Sequence, residues 1–287
     1  MLGISERAST ATVKVGTATV PFHDSGTPRF EGSARAPVVL LHGTGGTTMS
    51  HYGLVFPVLE QNQRVIGVDF AAPADLSSLS LDDLVAQAGA VIAHTCPGQP
   101  VTLVGYSLGA VVAAALAGRH PDLVHSLVLV AGWITSDAQQ RMRNSVWNAL
   151  YDSAQRRALA EFTVYAAFSA PFLKMMPPAR LEGVLGQIAP GPFDAAQMRV
   201  NRDIDIAADV ARITAPTLVI GCTRDNMVPV GHSKALFGAI ENSRYFEAES
   251  GHAIIYERSA ELALQIDQFN QNPGRHPAGS RIAADRP

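Results

Sequence analysis

Pro100-Val-Thr-Leu-Val-Gly-Tyr-Ser-Leu-Gly-Ala-Val-Val-Ala-Ala-Ala-Leu-Ala-Gly-Arg-His120 holds a strand, a tight turn and a helix in one stretch. Residues 100–105 are a short apolar run, as expected of a central strand covered on both faces, and residues 108–120 are rich in Ala and Val and continue as a helix. Between them stands Gly105-Tyr106-Ser107-Leu108-Gly109, a G-x-S-x-G sequence. A serine on so tight a strand-to-helix turn is held in an unfavourable backbone conformation, and the flanking glycines remove side chains that would clash there. The helix start behind it favours developing negative charge. G-x-S-x-G alone recurs by chance; its place after a strand and before a helix makes it specific.

The same alternation repeats on either side. Pro37–His42, Arg64–Asp69, Ser126–Ala131 and Thr217–Gly221 read as buried strands, and Arg244–Glu247 as a weaker last one. Helical patterns span Met49–Glu60, Ser80–Ala93 and Ser259–Asn270; the second has Leu81, Leu84, Val85, Ala88, Val91 and Ile92 at helical spacing. Strands alternating with helices predict βαβ crossovers, hence an α/β fold with a mostly parallel central sheet and helices on both faces. Thr10–Val15 and Thr17–His23 read as an antiparallel hairpin ahead of it. Residues 133–212 break the alternation with helical periodicity of their own, interrupted by Pro171, Pro177, Pro178, Pro190 and Pro192. The chain therefore divides into a core of residues 1–132 and 213–270, a helical lid insertion at 133–212, and a tail at 271–287 expected to be disordered.

Composition narrows the function classes. Hydrophobic residues make up 47 % and charged residues 16 %, which is a packed globule and no disordered chain. With 22 Lys and Arg against 25 Asp and Glu and no basic run, nucleic acid is not an expected partner. The first twenty residues lack the apolar core of a signal peptide, and no run is apolar enough to span a membrane. Cys96 and Cys222 are too few for a disulfide framework or a cysteine metal site and read as buried thiols, so a cytoplasmic location is expected.

A serine hydroxyl is a poor nucleophile until a base removes its proton, and that base needs an acid to fix its tautomer and stabilise its cation. Downstream, Thr217–Gly221 runs into Cys222-Thr-Arg-Asp225, which places a carboxylate at a strand's C-terminal end, where ligands gather in open α/β sheets. Ser250-Gly251-His252 follows the last strand. Asp69 and Asp137 are competing acids, each near a strand end, but Asp69 reads better as ordering a loop and Asp137 has the weaker context. His42 reads as structural and His120 as the end of a helix.

Taken together, His42-Gly43-Thr44-Gly45-Gly46, the GYSLG turn, Gly221 to Pro229 with Asp225, and the Gly251-His252 pair resemble the α/β-hydrolase fold superfamily over about residues 13–270. The resemblance implies that Ser107 is the nucleophile, Asp225 the acid and His252 the base, with the N–H groups of Thr44 and Leu108 as the oxyanion hole. It implies no metal and no organic cofactor, since side chains and backbone dipoles do this chemistry. One element departs from the superfamily's pattern: Asp69-Phe-Ala-Ala-Pro-Ala-Asp75 stands where a D-x-R-G-x-G-x-S loop is usual, so specificity does not carry over.

The insertion is rich in large apolar residues, more than a few short helices can bury among themselves. Trp133, Phe168, Phe172 and Met175 are expected to line a pocket for an apolar substrate, with Arg141, Arg143 and Arg202 as its polar fixed points. The expected function is a serine hydrolase that cleaves a carboxylic ester or thioester of a medium-sized hydrophobic acyl or polyketide-like small molecule through an acyl-enzyme. Two other readings stay open: a non-hydrolytic enzyme of the same fold (elimination, acyl transfer or cyclisation), and a small-molecule receptor without turnover.

Overall fold

The computed structural model describes residues 4–5, 7–28, 30 and 35–283. Its strands are β1 (Ser9–Val15), β2 (Ala18–Asp24), β3 (Val38–Leu41), β4 (Val65–Val68), β5 (Val101–Tyr106), β6 (Val124–Val130), β7 (Thr217–Cys222), β8 (Ser243–Ala248) and β9 (Arg281–Ile282). Among the described residues they form one nine-stranded sheet in the order β1-β2-β4-β3-β5-β6-β7-β8-β9. β1 and β2 are the antiparallel hairpin, β2 runs antiparallel to β4, and every later pair is parallel. The fold is thus the mostly parallel α/β architecture read from the alternation of apolar runs and helices.

The helices are α1 (Thr48–Tyr52), α2 (Phe56–Leu59), α3 (Leu81–Thr95), α4 (Leu108–Arg119), α5 (Ala138–Asp152), α6 (Arg156–Ala167), α7 (Ala170–Met175), α8 (Pro178–Gln187), α9 (Pro192–Arg202), α10 (Ala207–Val210), α11 (Val230–Ala239), α12 (Ile254–Glu257) and α13 (Ser259–Gln271). Successive strand residues face opposite layers. Val39 and Leu41 pack with Leu84, Leu116 and Leu236 from α3, α4 and α11 on one face, whereas Val38 and Leu40 pack with Phe56, Leu59 and Ile266 from α2 and α13 on the other. α4 is buried on all sides, from Leu108 to Gly118, which its Ala, Val and Gly side chains permit. The single helix predicted over 49–60 is two, because the chain turns at Gly53–Val55 and Pro57, which has no N–H to donate, can sit only in the first turn of α2.

Helices α5 to α9 are inserted between β6 and β7 and carry two apolar clusters of their own, one around Val164, Phe168 and Leu185, the other around Trp147, Leu159 and Met198. An antiparallel bridge between Thr135 and Asp205 joins the insertion's ends. α10, inside the boundary read for the insertion, packs on the core, where Asp209 Oδ2 lies 2.9 Å from Arg119 Nη2 of α4.

The tail expected to be disordered is a correction. β9 pairs with β8 through Tyr245 and Phe246, and Arg244 Nε donates to the His276 carbonyl at 2.7 Å. Edge pairing of this kind is made by backbone groups, which leave no hydropathy signal; residues 284–287 lie outside the described residues. Among the described residues no helix is long and apolar enough to cross a membrane.

Candidate active site

Ser107 stands between the end of β5 and the start of α4 with φ 56° and ψ −121°, a backbone region that costs a non-glycine residue about 1–3 kcal/mol. Packing holds it there: its N–H donates to the Val130 carbonyl at 2.9 Å, and strand and helix approach so closely that a Cβ at Gly105 would run into the carbonyl of Gly109, and one at Gly109 into that of Leu41. The spacing of the two glycines is therefore a steric requirement of the turn.

Two loops bring the other members of the constellation to this hydroxyl. His252 Nε2 lies 2.9 Å from Ser107 Oγ, and His252 Nδ1 lies 2.7 Å from Asp225 Oδ2. All three side chains are buried. Asp225 Oδ1 accepts the N–H groups of Met227 (2.7 Å) and Val228 (2.8 Å), which fix the carboxylate on the loop after β7. The His252 loop is tied to the insertion, where Ala253 N–H donates to the Ala167 carbonyl at 2.9 Å and Glu257 accepts from both Ser169 N–H and Ser169 Oγ. Tyr106 OH donates to the His252 carbonyl at 2.9 Å. An ionised carboxylate only accepts, so the proton sits on Nδ1 and leaves Nε2 free to take the serine's. The arrangement can deprotonate a hydroxyl and hold the resulting imidazolium against a carboxylate.

Leu108 is the first residue of α4, where backbone N–H groups have no partner within the helix. Thr44 lines the same cavity as Ser107, on a loop held from two sides. From α9, Gln197 Oε1 accepts the Gly45 N–H and Asn201 Nδ2 donates to Thr44 Oγ1, both at 2.8 Å. From α1, His51 Nδ1 accepts the Gly43 N–H at 3.1 Å. Burial, with His42 and His252 close by, holds the pKa of His51 down to about 3, so its ring is neutral at ordinary pH. His42 has the structural place read for it: Nδ1 donates to the Gly43 carbonyl, Nε2 accepts the Phe70 N–H, and burial lowers its pKa.

The competing acids are engaged elsewhere. Asp69 accepts at 2.6 Å from both Thr48 N–H and Thr48 Oγ1 and lies 3.1 Å from His23 Nε2; burial opposes its ionisation, but these bonds outweigh it and lower its pKa. Asp137 caps α5 through the Gln140 N–H and pairs with His232. His120 is the C-terminal cap of α4. Cys96 and Cys222 are buried thiols whose pKa burial raises, which disfavours the thiolate at both.

Ser107 and His252 open on a cavity of about 780 Å³ between the sheet's C-terminal ends and the insertion. Trp133, Phe168 and Phe172 line it, the two phenylalanines stacked with centroids 5.5 Å apart. Met175 is a correction: its side chain is 81 % exposed, and the neighbouring Met176 lines the cavity instead. α7 ends at Met175, so consecutive side chains there point to different sides. Of the three arginines, Arg143 lines the cavity, while Arg141 bonds to the Arg202 carbonyl away from it. Sequence reasoning missed Gln197, Asn201 and His51. For Gln197 and Asn201 the one signal was polar spacing on α9, where Asp194, Gln197 and Asn201 share a helix face that ordinary patterning assigns to solvent; His51, on α1, carried none.

Residues 36–259 match the sequence model of the family described as alpha/beta hydrolase fold. Among curated proteins the chain is similar to the pyrrolizixenacetamide deacetylase of Xenorhabdus hominickii, 29 % identical over 90 % of this chain and 96 % of that one. It is also similar to the pimeloyl-[acyl-carrier protein] methyl ester esterase of Neisseria meningitidis, 28 % identical over 86 % of this chain and 80 % of the other. Among solved structures, an alpha/beta hydrolase enzyme from a Medee basin deep-sea metagenome library superposes with a TM-score of 0.80 at 18 % identity, over 90 % of this chain and 96 % of that chain.

Proposed function

The chain belongs to the alpha/beta hydrolase fold family, and from that premise we propose that it is a serine hydrolase acting on a carboxylic ester or thioester of a medium-sized hydrophobic acyl or polyketide-like substrate. The observation that carries this reading is the unbroken chain Asp225 Oδ2, His252 Nδ1, His252 Nε2 and Ser107 Oγ, at 2.7 and 2.9 Å, opening on an apolar cavity. Ser107 Oγ attacks the substrate carbonyl as its proton passes to His252 Nε2. The tetrahedral oxyanion is met by the N–H groups of Leu108, at the start of α4, and of Thr44, on the loop after β3. Collapse expels the leaving group, protonated by His252, and leaves an acyl ester on Ser107; water then attacks that ester with His252 again taking the proton. That the curated relatives above carry the names of a deacetylase and an esterase supports hydrolysis over elimination or transfer.

The test is intact-mass spectrometry after a serine-directed fluorophosphonate. One adduct is expected on the native chain and none on Ser107→Ala. Labelling that survives Ser107→Ala would reject Ser107 as the activated hydroxyl.

The deacetylase relative favours one second reading, cleavage of an N-acyl amide by the same steps. An amine leaves only once protonated, so His252 would then limit the first half of the reaction. Matched esters and amides of one acyl group separate the two: a burst of alcohol from the ester points to rate-limiting deacylation, and faster overall turnover of the amide to the amidase.

A further inference from the structure

The cavity that holds Ser107 is lined by two guanidinium groups, Arg143 and Arg180, and by one carboxylate, Asp194, whose Oδ2 already accepts the Gly191 N–H at 2.7 Å. His51 and His252 complete its ionisable lining beside two tyrosines, and His51 is neutral. Among the described residues neither guanidinium has a carboxylate at ion-pair distance; Arg180 is exposed, whereas Arg143 is half-buried. Its single hydrogen bond runs from Nη2 to Asn144 Oδ1 at 2.8 Å, and its Nε is buried without an acceptor. Burial pushes the pKa of Arg143 down to about 10, with the Asp225 carboxylate acting the other way, so the group is still a cation at neutral pH. A half-buried cation whose Nε is buried without an acceptor is a cost to the fold, and such a group is tolerated where a ligand completes it.

We propose that Arg143 seats a carboxylate of the substrate, which makes the compound cleaved an amphiphile with an apolar body and one anionic end. A planar guanidinium with free donors matches a carboxylate in a two-pronged contact. Trp133, Phe168 and Phe172 flank the same cavity and suit the apolar body. Asn144, fully buried on α5, turns the guanidinium by accepting from Nη2 and so fixes which donors stay open. This inference rests on the hydrolase reading for the fate of the compound but not for its binding.

Two probes test it, monoethyl suberate and the primary amide made from its free carboxyl. They match in length and in the ester, and only the acid is charged. Calorimetry with the Ser107→Ala chain, which retains Arg143, is expected to show the acid binding about tenfold or more tightly than the amide, since hydrogen bonds to a charged acceptor are among the stronger ones. In Ser107→Ala/Arg143→Met the ratio should fall towards one, and Arg143→Lys should keep part of it. Equal binding of acid and amide to Ser107→Ala overturns the proposal, and because that chain is native at Arg143, misfolding of an Arg143 variant cannot hide the result. Ethanol release by the native chain is read in parallel. Hydrolysis of both probes without discrimination removes the role of Arg143 alone, whereas discrimination in binding without any hydrolysis supports Arg143 and removes the hydrolase reading.

Discussion

Gln197, on a helix of the insertion, accepts the backbone N–H of Gly45 at 2.8 Å across 152 residues of sequence. With Asn201 bonded to Thr44 Oγ1 one turn further along α9, the insertion holds the loop that carries Thr44, the proposed oxyanion donor. Both side chains are buried, so water does not replace either bond.

Removing Gln197 should therefore loosen an oxyanion donor without touching the nucleophile. Deleting such a donor outright costs about 10²–10³ in kcat, and displacing one should cost less, about tenfold. Steady-state kinetics of Gln197→Ala on a p-nitrophenyl ester are expected to show that loss in kcat with KM little changed. A rise in KM at constant kcat would instead make Gln197 part of substrate binding.

Ser107→Ala and His252→Ala should each lower kcat/KM by about 10³ or more, and the double variant should be hardly worse, because the groups act as a unit. Asp225→Asn should be nearly as damaging, since an amide favours the wrong imidazole tautomer. Asp137→Asn is the control: its side chain caps α5, so activity should survive. Additive losses at Ser107 and His252 would show that they are not partners.

His51 gives stability a pH dependence whose sign is fixed. Its folded pKa of about 3 lies below the ordinary histidine value of 6.5, so between those limits the unfolded chain binds the extra proton. Stability is full above about 6.5 and is lost as pH falls towards 3, with His42, lowered by burial too, acting in the same direction. Urea unfolding at several pH values between about 5 and 7 should give a shallower slope for His51→Asn, whose amide oxygen can still accept from Gly43. An unchanged slope would mean that His51 binds its proton equally in the folded and the unfolded chain.

Met176→Ala should shift the acyl-length preference of ester hydrolysis, and Met175→Ala should not. The first side chain lines the cavity and the second is 81 % exposed. A shift at Met175 alone would show that the cavity is shaped differently when substrate is bound.

These cases mark what could be read from the chain. The sheet was legible because β3 to β7 are short, mostly apolar runs, buried on both faces almost throughout. Ser107, Asp225 and His252 were legible because each follows a strand in a short stretch with a steric or chemical demand of its own. Gln197 and Asn201 were not, since their burial is created by a loop far away in sequence and polar residues on a helix are ordinarily read as its wet face. Met175 and Met176 differ by one position at the end of a short helix, a distinction that composition cannot make. The pairing of β9 was hard to read because the strand is two residues long and its ladder is made by backbone groups.

The bridge between Thr135 and Asp205 gives the insertion a closed mouth. To the sheet, everything beyond it is one long loop, and lengthening a loop is entropically mild because the penalty grows only with the logarithm of its length. In descent, then, such a chain can change its container faster than its reagents: residues 136–204 can drift, grow or be exchanged while the strand ends stay as they are. The exchange is not free of obligations. A transplanted insertion must bring an acceptor for Gly45, a donor for Thr44 and a carbonyl for Ala253, or the recipient inherits a new compartment around a slackened mechanism.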